Sequence, residues 1–538
     1  MSETTFKFDI LSEHAEKAID IFSNFFISPL FTESGTSREV NAVDSENSKN
    51  MSNDGRRRLQ VLKALANPNH HYSKFSTGNA KTLAMDATTA MDIGNSADNG
   101  NILFGVDLES AESRTIFIRE ALLAFHRRHY RPDNMIVVVV GPQSLEKQQE
   151  WIAPRFASIV NRWEEKDTDE MSKAELFVEA AAKDAPQDSF GSPPVPYNSP
   201  FDSKYQSNTW PIMLTTLPLQ SVRKLYIYFP LPSVKELKDQ SPYHVICHLL
   251  GHEGPGSCFA MLQNAELIDA ISVGPRLSDV DHSLLQVNIS LTEKGEGQWE
   301  KVVKTIFDYC YLLYDTTKMA KNSVTSNEPG SKRAYDKIIN IWDEVQRIKS
   351  LRFHQTSPGQ ALSLAPSLAS SVRRNGTMRS MTVGSLIDEN KNTAPIDDVL
   401  TFLEKMVPSN CFIERCSKDA WAKLEDEKKK EDTRANSATF GLKREKWYGV
   451  DYYLSKIDPE LINEWELTKK EGKKNASLHL PLMNKYIPTD LSLSTDLPEV
   501  ARKQPRIEKE IDPPNLIIQQ KDFGKIYVFL NSKIVLKF

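Results

Sequence analysis

The chain is 538 residues long, 26% charged and 40% hydrophobic, the make-up of an ordinary globular protein with room for two to four domains of roughly 100–200 residues. Its 67 Lys and Arg against 72 Asp and Glu leave a formal charge of −5, so neither nucleic acid nor an anionic membrane surface is expected as a partner. The five cysteines, Cys247, Cys258, Cys310, Cys411 and Cys416, are odd in number and include no CxxC pair, which argues against a disulfide framework and against a four-Cys zinc site.

In chain order, residues 6–11 (FKFDIL) alternate apolar and polar side chains as a strand does. Ala15, Ala18, Ile19, Phe22 and Phe26 then recur at helical spacing until Pro29 stops them. A second helix is predicted over 37–65, with Ser37 placed to cap it, Pro68 beyond its end, and the polar run 48–54 with Gly55 as a point where it divides in two. A third, over 114–130, leads through Pro132-Asp133-Asn134 into a strand at 135–140. That strand is the most apolar run in the chain and far short of the ~20 residues of a membrane span. Residues 164–206 turn acidic and then Pro- and Ser-rich, as a linker does.

Beyond it, 223–232 and 284–291 read as strands, 243–251 as a short helix and 299–314 as a longer one. The stretches 322–333 and 356–382 are Ser-, Gly- and Pro-rich and are predicted to be mobile loops, and 481–505 to be a second linker. The fold class expected is α+β. The strand and helix at 6–26 parallel those at 284–314, but in the second copy residues 223–282 come first and the first copy has no counterpart to them. The first domain is therefore expected to open in its middle, without its leading strands and helix.

The segments SREVNAVDSENSKN (37–50), KFSTGNAKTL (74–83), HLLGHEGPGS (248–257), EKWYGVDYY (445–453) and LPLMNKYIPT (480–489) resemble, in order and spacing, the long-chain inverzincin metallopeptidases of the insulinase/pitrilysin type. The resemblance runs along nearly the whole chain and covers the first half of such an enzyme. It implies tandem αβ domains, each a mainly antiparallel sheet packed against helices. A first domain at 1–195, lacking its leading strands and HxxEH helix, would be followed by a second at 196–480, a linker at 481–510, and the start of a third domain at 511–538. Peptides are the implied substrates and zinc the implied cofactor.

Hydrolytic zinc takes three protein ligands and a water whose pKa it lowers. In the family two of those ligands are the His residues of HxxEH, four apart on one helical face, with the Glu as general base. The third ligand, by the 37–50 match, is Glu46, and Glu39 matches a carboxylate beside the site. Seven residues apart on a helix, the two lie about 10.5 Å apart along one face. No HxxEH occurs in this sequence: none of the eleven His has Glu three on and His four on. One carboxylate does not assemble a zinc site, so the chain as written is expected not to hydrolyse peptides.

His248 and His252 have the spacing of two helical metal ligands, with His244 a turn earlier. The resemblance points instead to an exosite that holds a peptide's N-terminus away from the metal, matching His244, His248, Gly251, Glu253 and the strand Ile271, Ser272 and Val273. A carboxylate and carbonyls suit an ammonium group, and a strand edge suits an extended peptide. Plain helix termination at Gly254-Pro255-Gly256 is the bland account of the same residues. Thr77 matches a position lining the family's substrate cleft, although its Gly-Asn neighbours equally suit a turn.

Two functions compete: an incomplete zinc metalloendopeptidase, or a non-catalytic protein that binds peptides or pairs with a complementary C-terminal half or a second copy. Residues 1–11 lack the basic and apolar regions of a secretory signal, and the terminal VLKF carries no S-K-L-type address. The cytoplasm is the expected compartment.

Overall fold

The fold comes from a computed structural model that describes residues 4–68, 70–83, 111–159, 200–201, 211–232, 242–278, 282–323, 328–355, 361–375, 396–430, 441–471, 475–487, 525–530 and 533–534. The first region opens with α1 (Ala15–Ile27), α2 (Glu33–Met51) and α3 (Asp54–Leu65). The helix predicted over 37–65 is thus two, and it starts earlier than Ser37. Thr32 is the cap, its side chain accepting the Gly35 N–H at 3.2 Å. Asn53 caps α3 through the Arg56 N–H at 3.0 Å, so Ser52 and Asn53 alone join the two helices.

α4 (Ala111–His129) leads into β1 (Ile136–Gly141), and α5 (Leu145–Phe156) follows. Ile19 of α1 with Trp151 and Ile152 of α5 forms a small core against Val137 and Val139. Residues 6–11 form no strand. Their alternating aromatics lean on α1 instead, Phe6 edge-on to Phe26 at 5.4 Å and Phe8 against Phe22 at 4.8 Å. Alternation without a neighbouring strand to complete the ladder leaves the backbone unpaired and the side chains free to find other apolar surface.

The 164–199 part of the predicted linker, and with it the 195/196 boundary, lies outside the described residues. The second region is a seven-stranded sheet of β2 (Ile212–Thr216), β3 (Arg223–Pro232), β4 (Ile268–Ser278), β5 (His282–Leu291), β6 (Phe412–Ser417), β7 (Gly441–Arg444) and β8 (Asp451–Lys456). Its strand order is β4-β5-β3-β6-β2-β8-β7. Only the β2–β6 pairing is parallel.

Around the sheet lie α6 (Pro242–Leu250), α7 (Cys258–Asn264), α8 (Trp299–Asn322), α9 (Pro329–Gln355), α10 (Ala361–Asn375), α11 (Ile396–Lys405), α12 (Lys418–Lys430) and α13 (Pro459–Glu471). On one face Leu225, Ile227, Phe229, Val287 and Ile289 meet Val245, Ile246, Leu249 and Leu250 of α6 and Val302, Val303 and Ile306 of α8. The opposite face is covered from the N-terminal region. Leu62 and Ala66 sit with Tyr226, Tyr228, Leu284 and Phe412, and Val61 and Leu65 sit with Leu214, Val450 and Tyr452. A central strand buried on both sides reads as a continuous apolar run, which is why β3 is plain in the sequence.

The loops predicted at 322–333 and 356–382 are largely helical where described: α9 begins at Pro329, and Ala361–Asn375 is α10, with Leu368 and Val372 buried. Burial of two apolar positions four apart outweighs a Ser- and Pro-rich composition. Of the predicted second linker, 481–487 form no helix or strand and 488–510 lie outside the described residues. In the stretch expected to begin a third domain, β9 (Lys525–Leu530) pairs antiparallel with β1, and β10 (Lys533–Ile534) pairs with β9.

Candidate functional site

α2 presents Glu39 and Glu46 to solvent on a helix whose buried residues are only Thr36 and Asn47. Among the described residues no group of three or more His, Cys, Asp or Glu is placed to hold a metal ion. The described residues therefore do not compose a zinc site.

The segment after α3 is tied both to α2 and to the sheet. The Ala80 N–H donates to Asp44 Oδ1 at 2.9 Å. Gly78 (φ +80°) lies so close to Val43 that an added Cβ would come within 3.4 Å of it, and the left-handed backbone there favours glycine. Thr77 Oγ1 shares a hydrogen bond of 3.2 Å with Tyr448 Oη, and Phe75 stacks on Trp447 at 4.5 Å with a 9° interplanar angle. The buried Glu445 carboxylate accepts the Trp447 and Tyr448 N–H groups at 2.8 and 2.6 Å and fixes that turn. The structure thus brings two of the quoted sequence segments, 74–83 and 445–453, into contact at Thr77.

On α6 the apolar face is buried while His244 and His248 are half-buried. His248 Nε2 lies 3.4 Å from Glu344 Oε1 on α9, and the other Glu344 oxygen accepts the Asn484 N–H at 2.9 Å. Burial lowers the pKa of His244 to about 4, with Lys349 adding to the effect. It also lowers those of His248 and His252, outweighing the pull of Glu344 on both. All three favour the neutral ring.

Gly251 follows directly, its N–H donating to the Cys247 carbonyl at 2.9 Å. His252 Nδ1 accepts the Gly254 N–H at 3.0 Å. Gly256 (φ +82°) passes its carbonyl to the His479 N–H at 3.0 Å, and the His479 ring occupies the space a Cβ would need. Residues 251–256 are thus a clamped loop with Glu253 exposed at its tip.

β4 is an edge strand, and both α6 and α7 pack against it. Ile271 points into the core, Val273 is half-buried, and Ser272 is exposed, its hydroxyl accepting from Asn288 Nδ2 at 3.1 Å. Register shifts at Ile268/Ala270 and Pro275/Leu277 bracket the straight part of the strand. Beyond β4 no further strand pairs among the described residues, so a row of backbone N–H and C=O groups is left without a ladder.

His244, His248, Gly251, Glu253, Ile271, Ser272 and Val273 therefore share one end of the sheet. Glu39 and Glu46 stand apart from them on α2, and Thr77 marks the junction of the loop after α3 with the sheet. Glu344 and His479 were not singled out from the sequence, and Tyr448 and Asn484 figured there only as members of the quoted segments 445–453 and 480–489. Each is distant along the chain from the residue it touches and carries no local spacing signal.

Three models of one peptidase family match the chain. One described as insulinase (peptidase family M16) matches residues 1–69, the peptidase M16 inactive domain matches 117–323, and the middle or third domain matches 353–529. The insulin-degrading enzyme-like 1, peroxisomal, of Arabidopsis thaliana is 28% identical over 530 residues, 97% of this chain and 44% of that protein. The insulin-degrading enzyme of Homo sapiens is 26% identical over 533 residues, 99% of this chain and 42% of its own. The chain thus spans about two fifths of the length of these relatives. The crystal structure of pitrilysin aligns with a TM-score of 0.60 at 20% identity, covering 89% of this chain and 40% of that one, a likeness of fold.

Proposed function

We infer that this chain, which belongs to the insulinase family of peptidases, binds extended peptides along the outer edge of β4 and holds their free N-terminus at the 251–256 loop, without hydrolysing them on its own. The observation that carries this reading is an edge strand with its ladder open, flanked by a loop that a left-handed Gly256 and His479 hold in place. Main-chain hydrogen bonds supply sequence-independent affinity for an extended segment. The exposed carboxylate of Glu253 supplies an acceptor for an α-ammonium group. With His244 and His248 neutral, neither ring adds a charge that would compete for the carboxylate.

The test is fluorescence anisotropy with one labelled extended peptide in two forms, free and N-acetylated, with chelator-treated and zinc-supplemented turnover assays alongside. Acetylation and Glu253→Gln should each weaken binding about fivefold, the worth of one partly exposed charged contact. Equal affinity in all four combinations would remove the anchoring role. Chelator-sensitive cleavage by this chain would overturn the expected lack of turnover.

A second reading, pairing with a complementary half, is favoured by the exposure of Phe6, Phe8, Ile10, Leu11, Phe25 and Leu30 around α1, a concentration of large apolar side chains that marks interaction surfaces. Size-exclusion chromatography with light scattering decides it. A monodisperse monomer at tens of micromolar, unchanged by added C-terminal half, would end the pairing idea.

A further inference from the structure

We propose that Arg58 and Glu414 interlock the α2–α3 pair with the seven-stranded sheet, making Arg58 a positioning residue that fixes the Glu46 helix relative to the β4 edge. The structural lock stands on its own; its functional consequence rests on the peptide-anchoring reading of β4.

Glu414 is fully buried in the middle of the sheet, on β6. A lone carboxylate there would be costly to desolvate, and its strand neighbour Arg415 pairs with Glu296 instead. The cation comes from α3. Arg58 Nε donates to Glu414 Oε1 at 2.7 Å and Nη2 to Oε2 at 2.9 Å, a bidentate fork. Nη2 also donates to Tyr228 Oη at 2.6 Å. The Tyr228 hydroxyl in turn donates to Glu414 Oε2 at 2.9 Å, and Thr216 donates to Oε1 at 2.9 Å. The guanidinium carbon lies 3.5 Å from the centre of the Tyr226 ring. Three adjacent strands, β3, β6 and β2, therefore shape one receptacle for one side chain of α3.

A second anchor stands at the start of α3. Both oxygens of Asp54 accept backbone N–H groups in the turn between β2 and β3, from Leu219 at 2.8 Å and Gln220 at 3.0 Å. α2 hangs from this anchored helix across a two-residue joint that is itself hydrogen-bonded, Ser52 N–H to Lys49 O at 3.2 Å and Asn53 N–H to Asn50 O at 3.1 Å. With few buried residues of its own, α2 takes its orientation from α3, from the Asp44–Ala80 tie and from its packing against α4. A fork between planar groups admits fewer orientations than an apolar contact does.

Hydrogen–deuterium exchange on the full chain tests the lock. In Arg58→Met, amides of α2 at 33–51 should exchange at least tenfold faster, while those of β5 and α6 keep their wild-type rates. A merely structural role would raise exchange in all three together, and that result, like unchanged exchange at 33–51, overturns the proposal. Should Arg58→Met fail to fold, Asp54→Ala, which leaves the buried pair intact and removes only the outer anchor, is read by the same comparison. The same variants are titrated with the labelled peptide. A wild-type chain that binds no peptide sinks the anchoring reading and leaves the exchange result standing.

Discussion

α2 and α6 both carry ligand-type side chains at helical spacing, and the structure treats them in opposite ways. On α2, Glu39 and Glu46 face solvent from a helix that buries almost nothing of itself. On α6, His244 and His248 are wedged between the buried face of their own helix and α9, where Glu344, Lys349 and Arg352 surround them electrostatically. Spacing alone marks a candidate in each case. What decides the chemistry is the surroundings: the carboxylates of α2 stand exposed to solvent, whereas burial makes the imidazoles of α6 favour the neutral ring and join the packing.

The largest effect that would sharpen this contrast is the response to acid. The folded His244 has a pKa of about 4 against an ordinary 6.5, so between those values the unfolded chain takes up a proton that the native state refuses. Its contribution to stability is therefore complete above pH 6.5 and is lost as the pH falls towards 4, by about 3 kcal/mol at full effect. His248 and His252, also lowered by burial, act in the same direction. Thermal melts from pH 7.5 to 4.5 should show the transition falling steeply below 6.5, and His244→Gln should flatten that fall. An acid response unchanged by the substitution would mean that α6 does not carry its histidines neutral.

The same contrast accounts for how much was legible beforehand. β3 and α6 could be read because burial on one or both faces imposes an apolar run or a helical period, and those signals are local. The family resemblance also pointed to Gly251, Glu253 and the strand Ile271–Val273, but only the sheet order shows that the strand is an edge. Residues 6–11 have the alternation of a strand but no strand partner among the described residues, so the period was present and the ladder was not. α10 was hidden by composition, since its Ser and Pro residues outnumber the two leucine and valine side chains that anchor it. Arg58 and Glu414 could not have been paired from sequence: one lies in a polar run of arginines and the other in an ordinary strand, and their association is a property of the fold.

The smallest expected effect lies on α2 and bears on the zinc question. Glu39→Gln and Glu46→Gln remove charges that are exposed on a helix surface, and substitutions of that kind ordinarily change stability by no more than about 0.5 kcal/mol. Urea denaturation should therefore superpose on wild type for both. Zinc titration by calorimetry should superpose as well, because metal affinity comes from assembling several ligands in one geometry, and no such group is present among the described residues. If Glu46→Gln lowered zinc affinity tenfold while Glu39→Gln did not, Glu46 would have to be working with imidazoles that α2 meets in solution. α2 would then be a metal-binding helix in this chain after all, and the difference from α6 would reverse.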